Sequence, residues 1–238
     1  SEVTIGKIGR KAESEWVGVN VGIMDQLISA AGKKDHAVCL DCRTLTYEYV
    51  PIPQRVNFVV LDTMTRRELS NSAYNTRHEE IKQSSKILGV PILRDASLDL
   101  LAEKQSMLSD TLYRRSRHVI SENERVLAFS AAMKNGDLQK MGALINASHA
   151  SLRDDFEVSS EELNLIVAIA QNQPACLGAR MTGAGFGGCA LAIMEDASVE
   201  AFIKSVTEIY QAETNIQPHL FKIESEDGVQ AFDWSNNG

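Results

Sequence analysis

The feature that most constrains this chain is a run of glycines directly ahead of an apolar segment. In Arg180-Met181-Thr182-Gly183-Ala184-Gly185-Phe186-Gly187-Gly188-Cys189, four of the six residues from 183 to 188 are glycine. Ordering such a run costs more backbone entropy than ordering any other residue type, so it calls for a physical cause. One cause is a tight turn with close backbone approach. The other is a loop whose backbone N–H groups lie beside a phosphate or a sugar. The residues alone leave both open. Gly183, Gly185 and Gly188 fit the letters G-x-G-x-x-G, but the dinucleotide fingerprint follows a strand and opens a helix. Here a helix is expected before the run and the apolar strand Cys189–Met194 after it. No Gly-Lys-Ser/Thr closes the run, so it is not a P-loop either.

The rest of the chain divides by its periodicity. Helical spacing is mixed over 5–14 and clear over Met24–Ala31. Ala37–Asp41 and Tyr47–Val50 read as strands about a turn, with Pro51 and Pro53 ending the pairing. Phe58–Asp62 is a short apolar strand. From about Asn75 the character changes to helices, expected at 75–88, 97–103, 108–134, 138–149 and 159–172, with caps at Ser97 and around Ser159-Ser160. Ser198–Thr214 is an amphipathic helix, His219–Ile223 a closing strand, and the last residues are expected to fray. The pattern is α+β, with a domain boundary expected near residue 70.

The net charge of −8 and the lack of a basic run exclude an electrostatic binder of nucleic acid or anionic membrane. No apolar run reaches the roughly 20 residues of a membrane span, and no secretory leader is visible, so a cytoplasmic setting is expected. Cys39 and Cys42 have C-x-x-C spacing. An odd separation along a strand places their thiols on opposite faces, and no second pair completes a zinc set, so reduced structural thiols are expected.

Several residues carry chemistry worth weighing. Asp25 follows the glycine-punctuated stretch 18–22 and opens a short helix. It is either a dipole-stabilising acid or a carboxylate that orients or deprotonates a substrate hydroxyl. Glu13 is either a solvated helix acid or an oxygen ligand for Mg²⁺. Tyr74 stands just before a helix, as a packing tyrosine or a substrate contact. His149, in Ser148-His149-Ala150-Ser151-Leu152-Arg153-Asp154-Asp155, has no Ser/His/Asp or Cys/His ordering around it in sequence.

Together, Val17–Gln26 (VGVNVGIMDQ), Tyr74–Arg77 (YNTR), Ser148–Glu157 (SHASLRDDFE) and Arg180–Cys189 (RMTGAGFGGC) resemble the galactokinases, members of the GHMP sugar and small-molecule kinase superfamily. The resemblance runs over essentially the whole chain. It implies the end of a ribosomal-S5-like first domain over 1–70, followed by a GHMP-kinase C-terminal α+β domain over 71–238. It implies transfer of the γ-phosphoryl group of MgATP to the C1 hydroxyl of galactose, with ATP and Mg²⁺ as cofactors. Asp25 matches the catalytic aspartate, Glu13 the magnesium ligand and Tyr74 a galactose contact. Gly183, Gly185, Gly187 and Gly188 match the third superfamily motif, beside the phosphates. A non-catalytic galactose- and ATP-binding regulator on the same fold is the alternative, with another sugar kinase or a decayed interaction module behind it. The family's early motifs, resembling G-R-x-N-L-I-G-E-H-T-D-Y and P-x-G-x-G-L-S-S-S-A, do not occur here. A truncated or incompletely represented form is therefore expected, with residues 1–70 unable to form a stable domain alone and a missing N-terminal segment needed to complete it.

Overall fold

The computed structural model describes residues 1–17, 21–66, 70–195 and 199–230; of Val17, Ser70, Asn71, Ser72 and Tyr74 it describes the backbone alone. The chain forms two compact units, Ser1–Gln54 with Glu224–Gly238, and Arg55–Ile223. The division expected near residue 70 thus falls after Gln54. The reason is the apolar strand β3 (Val56–Asp62), whose Val59 and Leu61 are fully buried in the core of the second unit.

In the first unit, α1 (Glu2–Ala12) packs on α2 (Met24–Ala31), and a hairpin follows. Strands β1 (His36–Leu40) and β2 (Tyr47–Pro51) pair antiparallel, with His36 opposite Pro51 and Leu40 opposite Tyr47. Pro51 is the last paired residue rather than the one that ends pairing, a place where a missing N–H costs little. Ile23, Leu27 and Ala31 supply the core, with Val3, Leu40, Leu45 and Tyr47 around them. The chain returns to this unit after residue 223. Gly228 N–H donates to Gly32 O at 2.8 Å and Val229 N–H to Ser29 O at 3.0 Å, so the returning segment satisfies carbonyls at the end of α2. Asp227 Oδ1 accepts from Lys34 N–H at 2.9 Å, and Ser225 Oγ from Asp35 N–H at 2.8 Å.

The second unit is built on an antiparallel sheet of order β4-β5-β3-β6, where β4 is Cys176–Met181, β5 Cys189–Glu195 and β6 His219–Ile223. Helices α3 (Ser70–Leu88), α4 (Leu98–Glu103), α5 (Asp110–Lys134), α6 (Leu138–Ser151), α7 (Glu161–Gln171) and α8 (Val199–Thr214) complete it. Side-chain oxygens of Ser97, Ser109, Asp137 and Ser160 cap α4, α5, α6 and α7 by accepting the N–H three residues on. The main core joins Val59, Leu61, Ala190, Ala192 and Met194 of the sheet to Leu163, Ile166 and Ala170 of α7 and Phe202, Val206 and Tyr210 of α8. A second cluster, Leu88, Leu93, Leu101 and Ile120, holds α3, α4 and α5 together. Helix α6 crosses β4 so closely that a Cβ at Gly142 would collide with Leu177 O. Among the described residues no helix is long and apolar enough to cross a membrane.

Candidate active site

The glycine run is the turn of a β-hairpin. The helix expected ahead of it, 159–172, is α7, but strand β4, unmarked in the sequence, stands between helix and loop, so the run joins two antiparallel neighbours, β4 and β5. The residues of 176–181 suit helix or strand by composition; pairing with β5 decides. Because β5 and not a helix follows the loop, the dinucleotide reading stays excluded.

Tertiary hydrogen bonds hold the loop. Thr182 N–H donates to Cys189 O at 3.0 Å and closes its ends, Phe186 N–H donates to Val158 O at 2.7 Å, and Gly188 N–H to Thr65 O at 2.9 Å. Gly188 O in turn accepts from Thr63 N–H and, at 2.7 Å, from Thr63 Oγ1. Close approach explains two of the glycines. At Gly185, with φ of +86°, a Cβ would collide with Val158 O; at Gly187, with φ of +126°, it would lie 3.1 Å from Thr65 O. The amides of Gly183, Ala184, Gly185 and Gly187 have no acceptor among the described residues. The first cause weighed from sequence therefore operates. The loop is a tight turn against neighbouring backbone, and it leaves a set of free N–H donors suited to the oxygens of an anion.

Met181, at the loop's entry, is gripped on both sides. Its N–H donates to His149 Nδ1 at 3.2 Å, and its carbonyl accepts from Arg180 Nε at 2.9 Å. His149 is only 3% exposed, and burial, with Arg153 and Arg180 nearby, pushes its pKa down to about 4. Arg180 pairs with Glu122 at 3.2 Å. Burial alone would raise the Glu122 pKa, but hydrogen bonds from Ser148 and Arg125 and the charge of Arg180 outweigh it and hold the carboxyl below its ordinary value. His149 is thus a neutral anchor for the loop.

The structure does bring a serine, a histidine and an aspartate together, at Ser151, His118 and Asp155. Ser151 stands in the middle: its hydroxyl donates to Asp155 Oδ2 at 3.1 Å and lies 3.0 Å from His118 Nδ1. A nucleophilic relay needs the imidazole between acid and hydroxyl. All three are buried, and the cluster is structural.

In the first unit, Glu13 opens a π-helical turn, Glu13–Val17, that continues α1, and its side chain is half-buried. Asp25 is the second residue of α2 and is exposed. Arg10 Nε donates to Val21 O at 3.2 Å and ties the end of α1 to the approach to α2. Gly18, Val19 and Asn20 of the expected glycine stretch lie outside the described residues, as do the side chain of Tyr74 and residues 231–238, where fraying is expected. Among the described residues no group of three His, Cys, Asp or Glu side chains can hold a metal. Cys39, Cys42, Cys176 and Cys189 are free thiols.

The family description "GHMP kinases C terminal" matches residues 129–212, a segment running from within α5 through the glycine loop to α8. That segment is similar to the C-terminal part of the GHMP kinases. It is 44% identical to a galactokinase of Roseiflexus sp. over 93% of its own length and 58% of the relative's. It is 40% identical to a galactokinase of Enterococcus faecalis, over 94% of itself and 59% of the relative. It also resembles the crystal structure of Lactococcus lactis galactokinase complexed with galactose, with a TM-score of 0.91 and 36% identity, over 96% of this chain and 60% of that one. The chain therefore spans somewhat under two thirds of the relatives it matches.

The glycine loop depends on residues that nothing in the sequence marks. Thr63 and Thr65 hold Gly188, and Val158 holds Phe186, from segments more than a hundred and nearly thirty residues away, respectively. Each acts through its backbone or one hydroxyl, which leaves no trace in local sequence.

Proposed function

We propose that this chain forms part of a galactokinase, which transfers the γ-phosphoryl group of MgATP to the C1 hydroxyl of galactose. The observation that carries the reading is the likeness to Lactococcus lactis galactokinase, which extends over 96% of the chain at 36% identity. The reading gives Asp25 the acceptor hydroxyl: as O1 attacks the γ-phosphorus, the bond to the ADP oxygen breaks and the O1 proton passes to, or is oriented by, the Asp25 carboxylate. An exposed carboxylate in the first turn of α2 suits that task, because it is open to a substrate. Tyr74 is assigned to the sugar. The free amides of Gly183, Ala184, Gly185 and Gly187 are assigned to phosphate oxygens, where fixed N–H donors stabilise charge without reorganising.

Mg²⁺, when bound, neutralises charge on the phosphates. The lack of a three-ligand cluster among the described residues fits this ion, which is held by one or two carboxylates together with substrate phosphates rather than by a protein cage. Glu13 would supply the carboxylate.

The test is galactose-dependent ADP release from MgATP, by this chain and by the chain joined to the part of the Lactococcus lactis enzyme that it does not cover. Turnover by the joined protein, reduced at least ~100-fold by Asp25→Asn, is expected. Sugar binding without turnover would favour a non-catalytic regulator, and no binding at all would overturn the galactokinase reading.

A further inference from the structure

Five consecutive carbonyls, from Asp154 to Val158, are each claimed by a donor from another part of the second unit. Arg114 Nη1 donates to Asp154 O at 3.0 Å. Arg115 Nη1 donates to Asp155 O. Arg77 donates through Nε to Phe156 O at 2.7 Å and through Nη2 to Glu157 O at 3.1 Å. The fifth, Val158 O, takes the amide of Phe186 in the glycine loop. Two carboxylates lock the arginines to one another. Glu80 Oε2 receives Arg77 Nη1 and Arg115 Nε, each at 3.1 Å, while Glu157 receives Arg115 Nη2 at 2.6 Å and also binds Arg114.

This is an extravagant way to finish a helical turn. The carbonyls belong to the end of a π-helical turn, Leu152–Phe156, where the negative end of the helix dipole favours cations. Water, or a glycine in the left-handed region, ordinarily suffices. Here the left-handed residue is Glu157, with φ of 51°, and Arg115 is only 2% exposed. Burying such charges is seldom a net gain in stability. What the arrangement achieves is directional. It fixes the peptide planes of 154–157, and so fixes where Val158 O points. Gly185 sits against the same oxygen, so a displaced Val158 must displace the loop.

We propose that Arg77, Arg114 and Arg115, locked by Glu80 and Glu157, are positioning residues that set the glycine loop for phosphate binding by holding the segment 154–158. The phosphate role of the loop rests on the galactokinase reading; the mechanical link does not. Arg77 lies three residues after Tyr74 on α3, so the clamp also ties the helix assigned to the sugar to the loop assigned to the phosphates. None of these side chains need touch a substrate.

The experiment compares Arg77→Lys and Arg115→Lys with the unchanged protein, and with Arg55→Lys as a control. Arg55 lies in the same unit and pairs with Glu195, at the end of β5 away from the glycine loop. Lysine keeps the charge and loses the fork that serves a carbonyl and a carboxylate together. Amide hydrogen exchange of Phe186 is read first. The clamp variants should exchange it about tenfold faster, the effect of weakening about one hydrogen bond, while the amides of β5 stay within about twofold. In the joined protein described above, KM for MgATP should rise by a similar factor, with Arg55→Lys unchanged. If Arg115→Lys does not fold, Arg77→Lys decides. Unchanged Phe186 protection in a folded clamp variant, or equal loss in Arg55→Lys, would overturn the inference. Failure of the unchanged protein to turn over galactose would sink the kinase reading and leave the exchange result standing.

Discussion

Lowering the pH from about 7.5 to about 5.5 should destabilise the second unit by about 3 kcal/mol through two histidines alone. His118 is 6% exposed, stacked on Phe156 with ring centroids 4.5 Å apart, and faces Ser151, Glu122, Arg125, Asp155 and Arg180. His149 is 3% exposed and faces Met181 N–H, Arg153, Asp154 and Arg180. Burial pushes both from 6.5 to about 4. A depressed folded pKa means that the unfolded chain takes up protons first. The stability is complete above 6.5 and is lost as the pH falls through the window from 6.5 to about 4. At pH 5.5 an unfolded histidine is about nine-tenths protonated and a folded one hardly at all, which costs about 1.4 kcal/mol per residue. For His149 there is a structural consequence. Its Nδ1 accepts the Met181 N–H, so a proton placed there sets donor against donor and releases the entry to the glycine loop. Urea unfolding midpoints at the two pH values measure the loss, and His149→Asn should remove about half of it. A midpoint that does not move between them would refute the assignment of both histidines as buried and neutral.

Other expectations follow from the same contacts. Gly185→Ala meets Val158 O and should cost far more phosphate-dependent binding than Gly183→Ala, which has open space and only the left-handed backbone to strain, a cost of about 1–2 kcal/mol; equal Kd values for MgATP would contradict the packing. Gly142→Ala drives a methyl into Leu177 O and should lower the stability of the second unit by more than about 2 kcal/mol, read as a fall in Tm. Asp227→Ala removes the acceptor for Lys34 N–H and should cost about 1 kcal/mol, confined to amides of the first unit in hydrogen exchange. Below the ordinary carboxylate range a further loss should set in, because Arg66 holds Asp62, and Arg115 holds Glu157, below their usual pKa values; acid titration of Arg66→Met should show that loss reduced.

Where sequence spacing carried the information, the elements came out as expected. Met24–Ala31 and His219–Ile223 have the limits read from their apolar pattern, and Ser97 and Ser160 cap the helices they were expected to cap. Strand β4 was not legible. Its Leu, Ala, Arg and Met favour a helix, and only pairing with β5 and the close crossing of α6 at Gly142 make it a strand. The compact units divide after Gln54 and not near residue 70 for a related reason. A strand is assigned to a unit by its neighbours, and both neighbours of β3 arrive more than 120 residues later in the sequence.

The glycine run shows how much of a candidate site one sequence can disclose. Four glycines in six residues announce that backbone conformation, not side chains, is selected there, and the structure leaves four amides of the loop without an acceptor among the described residues. What aims those amides is invisible in the run itself. It lies in a histidine at the end of α6, two threonines after β3 and a carbonyl fixed by arginines from two helices. The letters Arg114-Arg115-Ser116-Arg117 and Arg153-Asp154-Asp155-Phe156-Glu157 suggest complementary charge, but Arg114 and Arg115 also each give a hydrogen bond to a carbonyl, those of Asp154 and Asp155. A carbonyl has no letter in a sequence. A loop that exposes backbone donors and is positioned through backbone therefore shows its composition in the sequence and its aim only in the fold.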